Sequence, residues 1–533
     1  MTLSEDRLLL QQCWYDQGFF GRESITELLE RGAREFPDTY MHFVGGPTPV
    51  SISLAEMFEQ SLQLAAGLTS LGIKAGDVIA IWVPNWVEGA LTYQAALMLG
   101  ATVVPIIHIY GAREVGFILR ESRARVLVMP DRWRNIDYVE RFKNITAIPD
   151  LDHVVCIGKS GPRGAMQWSH LADFPQAVSL PKTHPDDVCI LIYTSGTTAE
   201  PKGVQHSTNT LVSEVKSTAA ALGEGTGVYL AAFPAGHIAG VLGLLRMFLL
   251  GTTSIVMDQW DPALAARLIA QYRVTSTSGA PYFLMSLMDE ASKNSIDISS
   301  ITHYMVGAAS VPRSLVERAD ALGIPVYRAY GSTEHPVITT GCPSDPLIKR
   351  AGTDGLLTPG NEIRLLDEND HDVGIGNDGE IVSRGPELFL GYRDNTLNET
   401  SFLPGGWFRT GDIGRLDVDG FLTITDRKKD IIIRGGENIA SKEIEDLLIQ
   451  HPHVADAAAI AKPDERFGER IAVFVQTMPG LTIDLAEIIA HFERLGVARQ
   501  KTPEYLQIVD ALPRSLSGKV RKVELRDQLR LLK

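Results

Sequence analysis

Cysteine is scarce: Cys13, Cys156, Cys189 and Cys342 are the only four in 533 residues, far apart and without a CxxC pair. This excludes a disulfide scaffold and the usual zinc ribbons, and the four read as reduced thiols. A basic excess is missing too. Fifty Lys and Arg face 65 Asp and Glu, a net charge of -15, which repels phosphate backbones unless cations are gathered in one patch. The single basic triplet, Arg427, Lys428 and Lys429, is too short for that, so no nucleic acid partner is expected. The N-terminal MTLSEDRLLLQQCWY has no basic start leading into a long apolar run, which predicts no secretory signal and a cytoplasmic protein. No transmembrane segment is expected either. Val228 to Met257 is largely apolar, but His237, Arg246, Pro234 and several glycines interrupt it, so it reads as buried core. No repeat of fixed period is found.

What remains is the composition of a globular enzyme, 44% hydrophobic and 22% charged, long enough for roughly three or four compact units. Leu54, Met57, Phe58, Leu62, Ala65 and Leu68 recur at helical spacing, with Gly72 as a stop. Short apolar runs rich in β-branched residues follow at 78–84, 102–108, 125–130 and 153–158, separated by helix-length segments. The pattern restarts at VCILIYTSG (188–196) and continues through 227–234, 252–258, 274–281, 304–309 and 325–333. Two mostly parallel α/β sheets are therefore expected. After about residue 340, short runs such as GNEIRLLDENDHDVG and GEIVSRG, punctuated by Gly, Asp and Pro, predict a small antiparallel barrel or sheet. Beyond DRKKD (426–430), about a hundred residues mixing two helices with short strands suit a separate small α+β domain.

The loop YTSGTTAEPKG (193–203) ends one of these strands with hydroxyls, glycines and a lysine. Such a loop supplies backbone N–H and side-chain O–H donors at close range, which suits phosphate oxygens. It is not a Walker A loop: counted from Gly196, Pro201 stands where glycine belongs and Gly203 where Ser or Thr belongs. Alone it is no more than a turn. It is joined, in order, by YGSTEHP (330–336), WFRTGD (407–412), DRKKDIIIRGGENI (426–439) and PRSLSGK (513–519).

Together these motifs resemble the adenylate-forming enzymes: acyl-CoA synthetases, firefly luciferase and the adenylation domains of peptide synthetases. The resemblance runs through nearly the whole chain, from GDVIAIWVPN (76–85) to Lys519. It implies an α/β fold with a large N-terminal domain (1–428) of two mostly parallel sheets plus a small β-barrel. A mobile α+β C-terminal domain (429–533) follows a hinge near Lys429. It assigns Thr194, Ser195, Gly196, Thr197, Thr198 and Lys202 to the β- and γ-phosphates of ATP, with Ala199 departing from the family's usual glycine and Glu200 adding a negative charge. Tyr330 would stack on adenine, opposite the backbone of Gly307, Ala308 and Ala309. Gly331 belongs to the same turn, Thr333 to the α-phosphate, and Glu334 to a magnesium ion, Mg2+, where a carboxylate suits a hard cation. Asp412 would accept both ribose hydroxyls, assisted by Arg427. Lys519 would meet the carboxylate and α-phosphate oxygens during adenylation, where a fixed positive charge stabilises the developing negative one. Gly435 and Gly436 would line a narrow channel for the pantetheine of CoA.

The implied chemistry is attack of a substrate carboxylate on the α-phosphorus of ATP, release of pyrophosphate, and capture of the acyl-adenylate by a thiol. No protein nucleophile is needed. His237, in FPAGHIAG, matches an aromatic or histidine position at the family's acyl pocket. Ile238, Ala239, Gly240, Val241 and Leu242, with SGAPYFL (278–284), suggest an apolar lining. No aspartate lies in 229–245 to hold an α-ammonium, which argues against an amino acid. The expectation is a CoA ligase for a hydrophobic acid, whether fatty, alicyclic, steroid-derived or aromatic, with catalytic residues Lys519, Thr194, Glu334 and His237. A ligase loading a carrier-protein phosphopantetheine is the enzymatic alternative. Oxygenation of the luciferase type, which needs a special substrate, ranks third. A non-catalytic nucleotide-binding regulator is the alternative from another class. Small-molecule acid, ATP and CoA are the expected partners, and a homodimer is left open.

Overall fold

A computed structural model describes residues 5–175, 179–194, 201–222, 227–434, 437–464, 467–495, 499–514 and 518–531. The helix read from its periodicity spans Leu54–Ser70, closed at its start by a reciprocal capping box between Ser53 and Glu56. Such a cap is worth about 1 kcal/mol. Gly72, at φ +78°, follows its end.

Eight strands form the first sheet. Its parallel centre runs Val188–Thr194, Thr102–Pro105, Val78–Ile81, Val126–Pro130 and His153–Ile157. Lys202–Ser207 and then Gly391–Tyr392 extend it antiparallel at one edge. The second sheet has nine strands. Val326–Tyr330, His303–Val306, Ser276–Gly279, Val228–Ala231, Thr253–Val256 and Tyr40–Phe43 lie parallel, with antiparallel strands at both edges. The restart of the pattern at residue 188 therefore does not mark the boundary between sheets. Val188–Thr194 closes the first sheet, and the second borrows Tyr40–Phe43 from the start of the chain. Hydrophobic runs mark buried strands, but pairing partners are chosen by packing across the whole chain.

Glu362–Leu366, Gly379–Arg384, Phe402–Leu403, Trp407–Leu416 and Leu422–Arg427 build a third, fully antiparallel sheet. The buried Arg328–Asp354 pair ties it to the second sheet. Arg328 Nη2 donates to Asp354 Oδ1 at 2.6 Å, while Asp354 Oδ2 accepts from Ile424 N at 2.8 Å. From Ile432 onward the chain makes a fourth sheet around its own core, which includes Ile444, Leu448, Val473 and Phe492. Its strands Val454–Asp464 and Gly468–Thr477 are long rather than short, and three α-helices rather than two accompany them: Ser441–Ile449, Leu485–Arg494 and Lys522–Leu531. The alternating apolar pattern of these strands is obscured by Ala, whose small side chain packs against helices without signalling a strand. No described helix is long and apolar enough to cross a membrane, and all four cysteines are unpaired.

Two carboxylates, Glu214 on the helix Thr208–Leu222 and Glu387, are buried together. Glu387 Oε1 accepts from the Ser217 hydroxyl, and Glu214 Oε1 accepts from Thr218 Oγ1 at 3.1 Å. Burial is the main cause that raises both, Glu214 to about 7 and Glu387 to about 8, with Arg246 opposing it at Glu214 and the Glu214 charge adding to it at Glu387. A carboxyl raised in the folded state is most compatible with folding below its unfolded range, and its contribution is lost as pH climbs through the folded value. Glu387→Gln removes this loss. The thermal midpoint of the variant relative to the parent should rise steadily between about pH 5 and pH 8, measured by scanning calorimetry; a pH-independent difference would contradict the shared burial.

Candidate active site

The second and third sheets meet at Tyr330. Its hydroxyl donates to Asp412 Oδ2 at 2.9 Å, and Arg427 Nε stands 3.2 Å from Asp412 Oδ1. Asp412 and Arg427 are cross-strand partners, so the sheet register sets this contact. Each carboxylate oxygen carries two lone pairs, which leaves Asp412 one further acceptor site on each oxygen, facing donors such as a pair of vicinal hydroxyls.

The turn after Tyr330 is fixed by backbone packing. A Cβ at Gly331 would sit 1.9 Å from Pro336 O, and one at Gly307 would sit 2.8 Å from Ala329 O. Ala308 follows with φ +64° and is exposed, beside half-buried Ala309. This compact strand end offers a flat backbone surface near Tyr330. His206, buried, joins its Nε2 to Thr333 O at 2.8 Å and its Nδ1 to Thr210 Oγ1 at 3.0 Å. Phe389 N donates to Glu334 O at 2.8 Å. The YGSTE turn is thereby held from both sides.

Thr194 and Lys202 are register partners in an antiparallel pair, so the loop between them leaves and re-enters the sheet at one point. Ser195, Gly196, Thr197 and Thr198, along with Ala199 and Glu200, lie outside the described residues, as do Gly435 and Gly436. The Lys202 ammonium is 5.0 Å from the centroid of the Tyr392 ring, and the Tyr392 hydroxyl donates to Glu334 Oε1 at 2.8 Å. Tyr392 thus links the lysine of one motif to the carboxylate of another. Nothing in the sequence singles it out, because the link exists only through the pairing of Gly391–Tyr392 with Lys202–Ser207. His206 also escapes sequence reading: a histidine four residues beyond Lys202 has the look of an ordinary core residue until its bond to Thr333 is seen.

Lys519 comes from the far end of the chain and is half-buried. Burial and the Arg427 charge depress its ammonium to about 8, with Asp412 and Glu334 pulling the other way and Lys429 adding to the depression. Gly518, at φ +78°, allows the close approach: its Cβ position lies 3.2 Å from the Ala280 Cβ. His237 precedes the helix Ile238–Leu250 as its N-cap residue. Burial, reinforced by the Lys519 charge, lowers its imidazole to about 4, so it is neutral at pH 7. Its Nε2 is buried with no hydrogen-bond partner among the described residues. Lys429 is exposed, between the third and fourth sheets, and next to it Asp430 pairs with Arg526 at 2.6 Å.

A cavity opens beside the same helix, lined by Ala235, Ala239, Gly240, Gly243 and Leu244, with Met41, Phe43, Trp86, Tyr93 and Tyr229 opposite. No charged side chain among the described residues lines it. Of the apolar residues expected there, only Ala239 and Gly240 do so; Val241 and Leu242 turn into the core, as the helical repeat requires. From the segment 278–284, Phe283 instead stacks on Trp260 with centroids 4.4 Å apart.

Residues 29–393 match the model of the AMP-binding enzyme family, and 443–519 match that of the AMP-binding enzyme C-terminal domain. The chain belongs to this family. It is an AMP-forming acid–thiol ligase of the adenylate-forming superfamily, with the α/β fold that the motifs implied. It is 32% identical over 541 residues to the medium-chain fatty-acid–CoA ligase of Escherichia coli (strain K12), covering 99% of this chain and 94% of the relative. It is 35% identical over 520 residues to the 3-[(3aS,4S,7aS)-7a-methyl-1,5-dioxo-octahydro-1H-inden-4-yl]propanoyl:CoA ligase of Mycobacterium tuberculosis (strain ATCC 25618 / H37Rv), covering 95% and 98%. The structure of ATP-bound MatB from Rhodopseudomonas palustris superposes with a TM-score of 0.85 at 27% identity, covering 94% of this chain and 98% of that one.

In this ligase the Tyr392 hydroxyl orients one oxygen of Glu334 while its ring faces Lys202. Tyr392→Phe keeps the ring and deletes the hydrogen bond. The MgATP concentration for half-maximal rate is expected to rise about tenfold or more, the worth of one hydrogen bond to a charged group, with little change in thermal midpoint. An unchanged MgATP dependence in steady-state kinetics would refute the link.

Proposed function

We propose that the ligase activates a neutral, hydrophobic carboxylic acid and transfers it to CoA. One observation carries the reading: Lys519, from the C-terminal unit, lies within electrostatic reach of Glu334, Asp412 and His237, and the helix that follows His237 lines an uncharged cavity. A carboxylate is a poor acceptor for a thiol because its leaving group would be an oxide. Attack of a carboxylate oxygen on the α-phosphorus of ATP forms the new P–O bond and breaks the bond to pyrophosphate, leaving a mixed anhydride with AMP as leaving group.

In this reading Tyr330 and the 307–309 backbone hold adenine, and Asp412 with Arg427 holds the ribose. Gly331 is the tight corner that brings the turn beneath the nucleotide, and Thr333 meets the α-phosphate. Thr194, Lys202 and the loop between them meet the outer phosphates, with Ser195, Gly196, Thr197 and Thr198 as donors. Lys519 places its charge between the carboxylate and the α-phosphate, and neutral His237 packs against the acyl carbonyl. Magnesium fits the chemistry of the donor: the Glu334 carboxylate suits a hard cation whose other ligands would be phosphate oxygens and water. It would neutralise phosphate charge there.

For the thiol step Lys519 must vacate the site. We place the hinge at exposed Lys429, between the domains 1–428 and 429–533, with Gly435 and Gly436 brought in to line the thiol channel. The relatives named as CoA ligases and the absence of charge in the cavity support free CoA and a hydrophobic acid. Incubation with ATP, magnesium, CoA and a panel of fatty, alicyclic, steroid-derived and aryl acids should yield a CoA thioester by mass spectrometry. Acyl-adenylate without thioester would move the reading to a carrier-protein acceptor.

Lys519→Ala should abolish adenylate formation while retaining much of the thiol step on preformed acyl-adenylate; equal loss of both half-reactions would contradict the hinge. The pH dependence follows the same residue. With its folded-state value lowered to about 8, Lys519 is charged below that pH and neutral above it, so the adenylation rate should fall as pH rises through about 8, read by pyrophosphate release in single turnover.

A further inference from the structure

The helix Ile238–Leu250 carries two glycines on its cavity side, Gly240 and Gly243. Glycine is the poorest helix former after proline, so each needs a reason. Gly240 has one in the fold: a Cβ there would lie 2.1 Å from Pro234 O. Gly32 and Gly67, in other helices, are likewise forced, each by a backbone oxygen 2.3 Å from the Cβ position. Gly243 is different. Nothing lies within 4 Å of its Cβ position, its backbone is ordinary helix, and the space it leaves empty belongs to the cavity. The missing side chain serves no packing purpose in the protein alone.

We propose that Gly243 is a specificity-determining residue that sets how far the acyl group reaches, the space beside it being filled by the distal part of the substrate. This rests on the acid-activating reading given above. Gly243 lies six residues beyond His237, which at the helical rise of 1.5 Å per residue is about 9 Å along the helix. An extended acyl chain covers this distance with about eight carbons, counting the carboxyl carbon. One turn further on, Arg246 stands 5.6 Å from the centroid of the Tyr229 ring, and the Tyr229 hydroxyl meets Ser278 Oγ at 2.7 Å. Tyr229 lines the cavity. The acid is therefore of medium length, neutral, and free to widen into a ring next to Gly243.

The test compares the parent with Gly243→Ala and Gly243→Leu on butyrate, hexanoate, octanoate, decanoate and dodecanoate, following pyrophosphate release and CoA thioester. The parent should prefer octanoate to both butyrate and dodecanoate. Gly243→Leu should lower kcat/KM for octanoate at least about tenfold more than for butyrate, the scale of discrimination that methylene-sized changes produce in apolar pockets. Gly243→Ala should shift the preference in the same direction by less, with a thermal midpoint at or above that of the parent. Equal losses on all acids, or an unshifted length profile in an active enzyme, would overturn the assignment of Gly243 while leaving the ligase reading intact. A parent that activates none of these acids would overturn the medium-length substrate, and one that forms no adenylate with any acid would overturn the ligase reading together with it.

Discussion

The site depends on bringing one ammonium, that of Lys519, against Arg427 and Lys429 without losing its charge. Burial and two like charges push the proton off; Asp412 and Glu334 hold it on. In the proposed reaction a charge so balanced would act on the phosphorus with little water competing with it. It is carried by a C-terminal unit with a hydrophobic core of its own. Burial, with the Lys519 charge adding to it, keeps His237 neutral, so the imidazole is not a second cation there.

Around that charge the structure is built from strand ends. Tyr330, Asp412 and Arg427 are fixed by the second and third sheets, and the buried Arg328–Asp354 pair prevents these sheets from sliding past each other. Thr194 and Lys202 come from the first sheet, and Tyr392 carries the connection from that sheet to Glu334. Three sheets thus converge on these side chains. This arrangement leaves loops free to meet a nucleotide while the scaffold beneath them stays rigid.

The candidate site is legible where its motifs are local in sequence. YGSTEHP, WFRTGD and PRSLSGK each place a chemical group within a few residues of the glycine or turn that exposes it, and Gly331 and Gly518 have the close contacts that such turns imply. What escaped was contributed by pairing across long separations. Tyr392 reaches Glu334 over 58 residues and Val188–Thr194 joins a sheet started more than a hundred residues earlier, and neither carries a periodic signal. The acyl cavity was read only in part, since a run such as IAGVL is apolar on every side and only the helical repeat, set against its neighbours, selects Ala239, Gly240 and Gly243 for the cavity and Val241 and Leu242 for the core.

The sequence by itself determined the class of chemistry and the kind of fold. Hydroxyls and glycines suited to phosphate, a carboxylate in YGSTE and a terminal lysine are matters of residue type, and strand and helix periodicities follow from backbone geometry. Tertiary structure alone decided which strands share a sheet, which residues orient Glu334, and how deep the cavity runs. Those depend on contacts between segments remote in the chain, where many apolar residues are interchangeable in sequence pattern and only close packing distinguishes a lining residue from a core one.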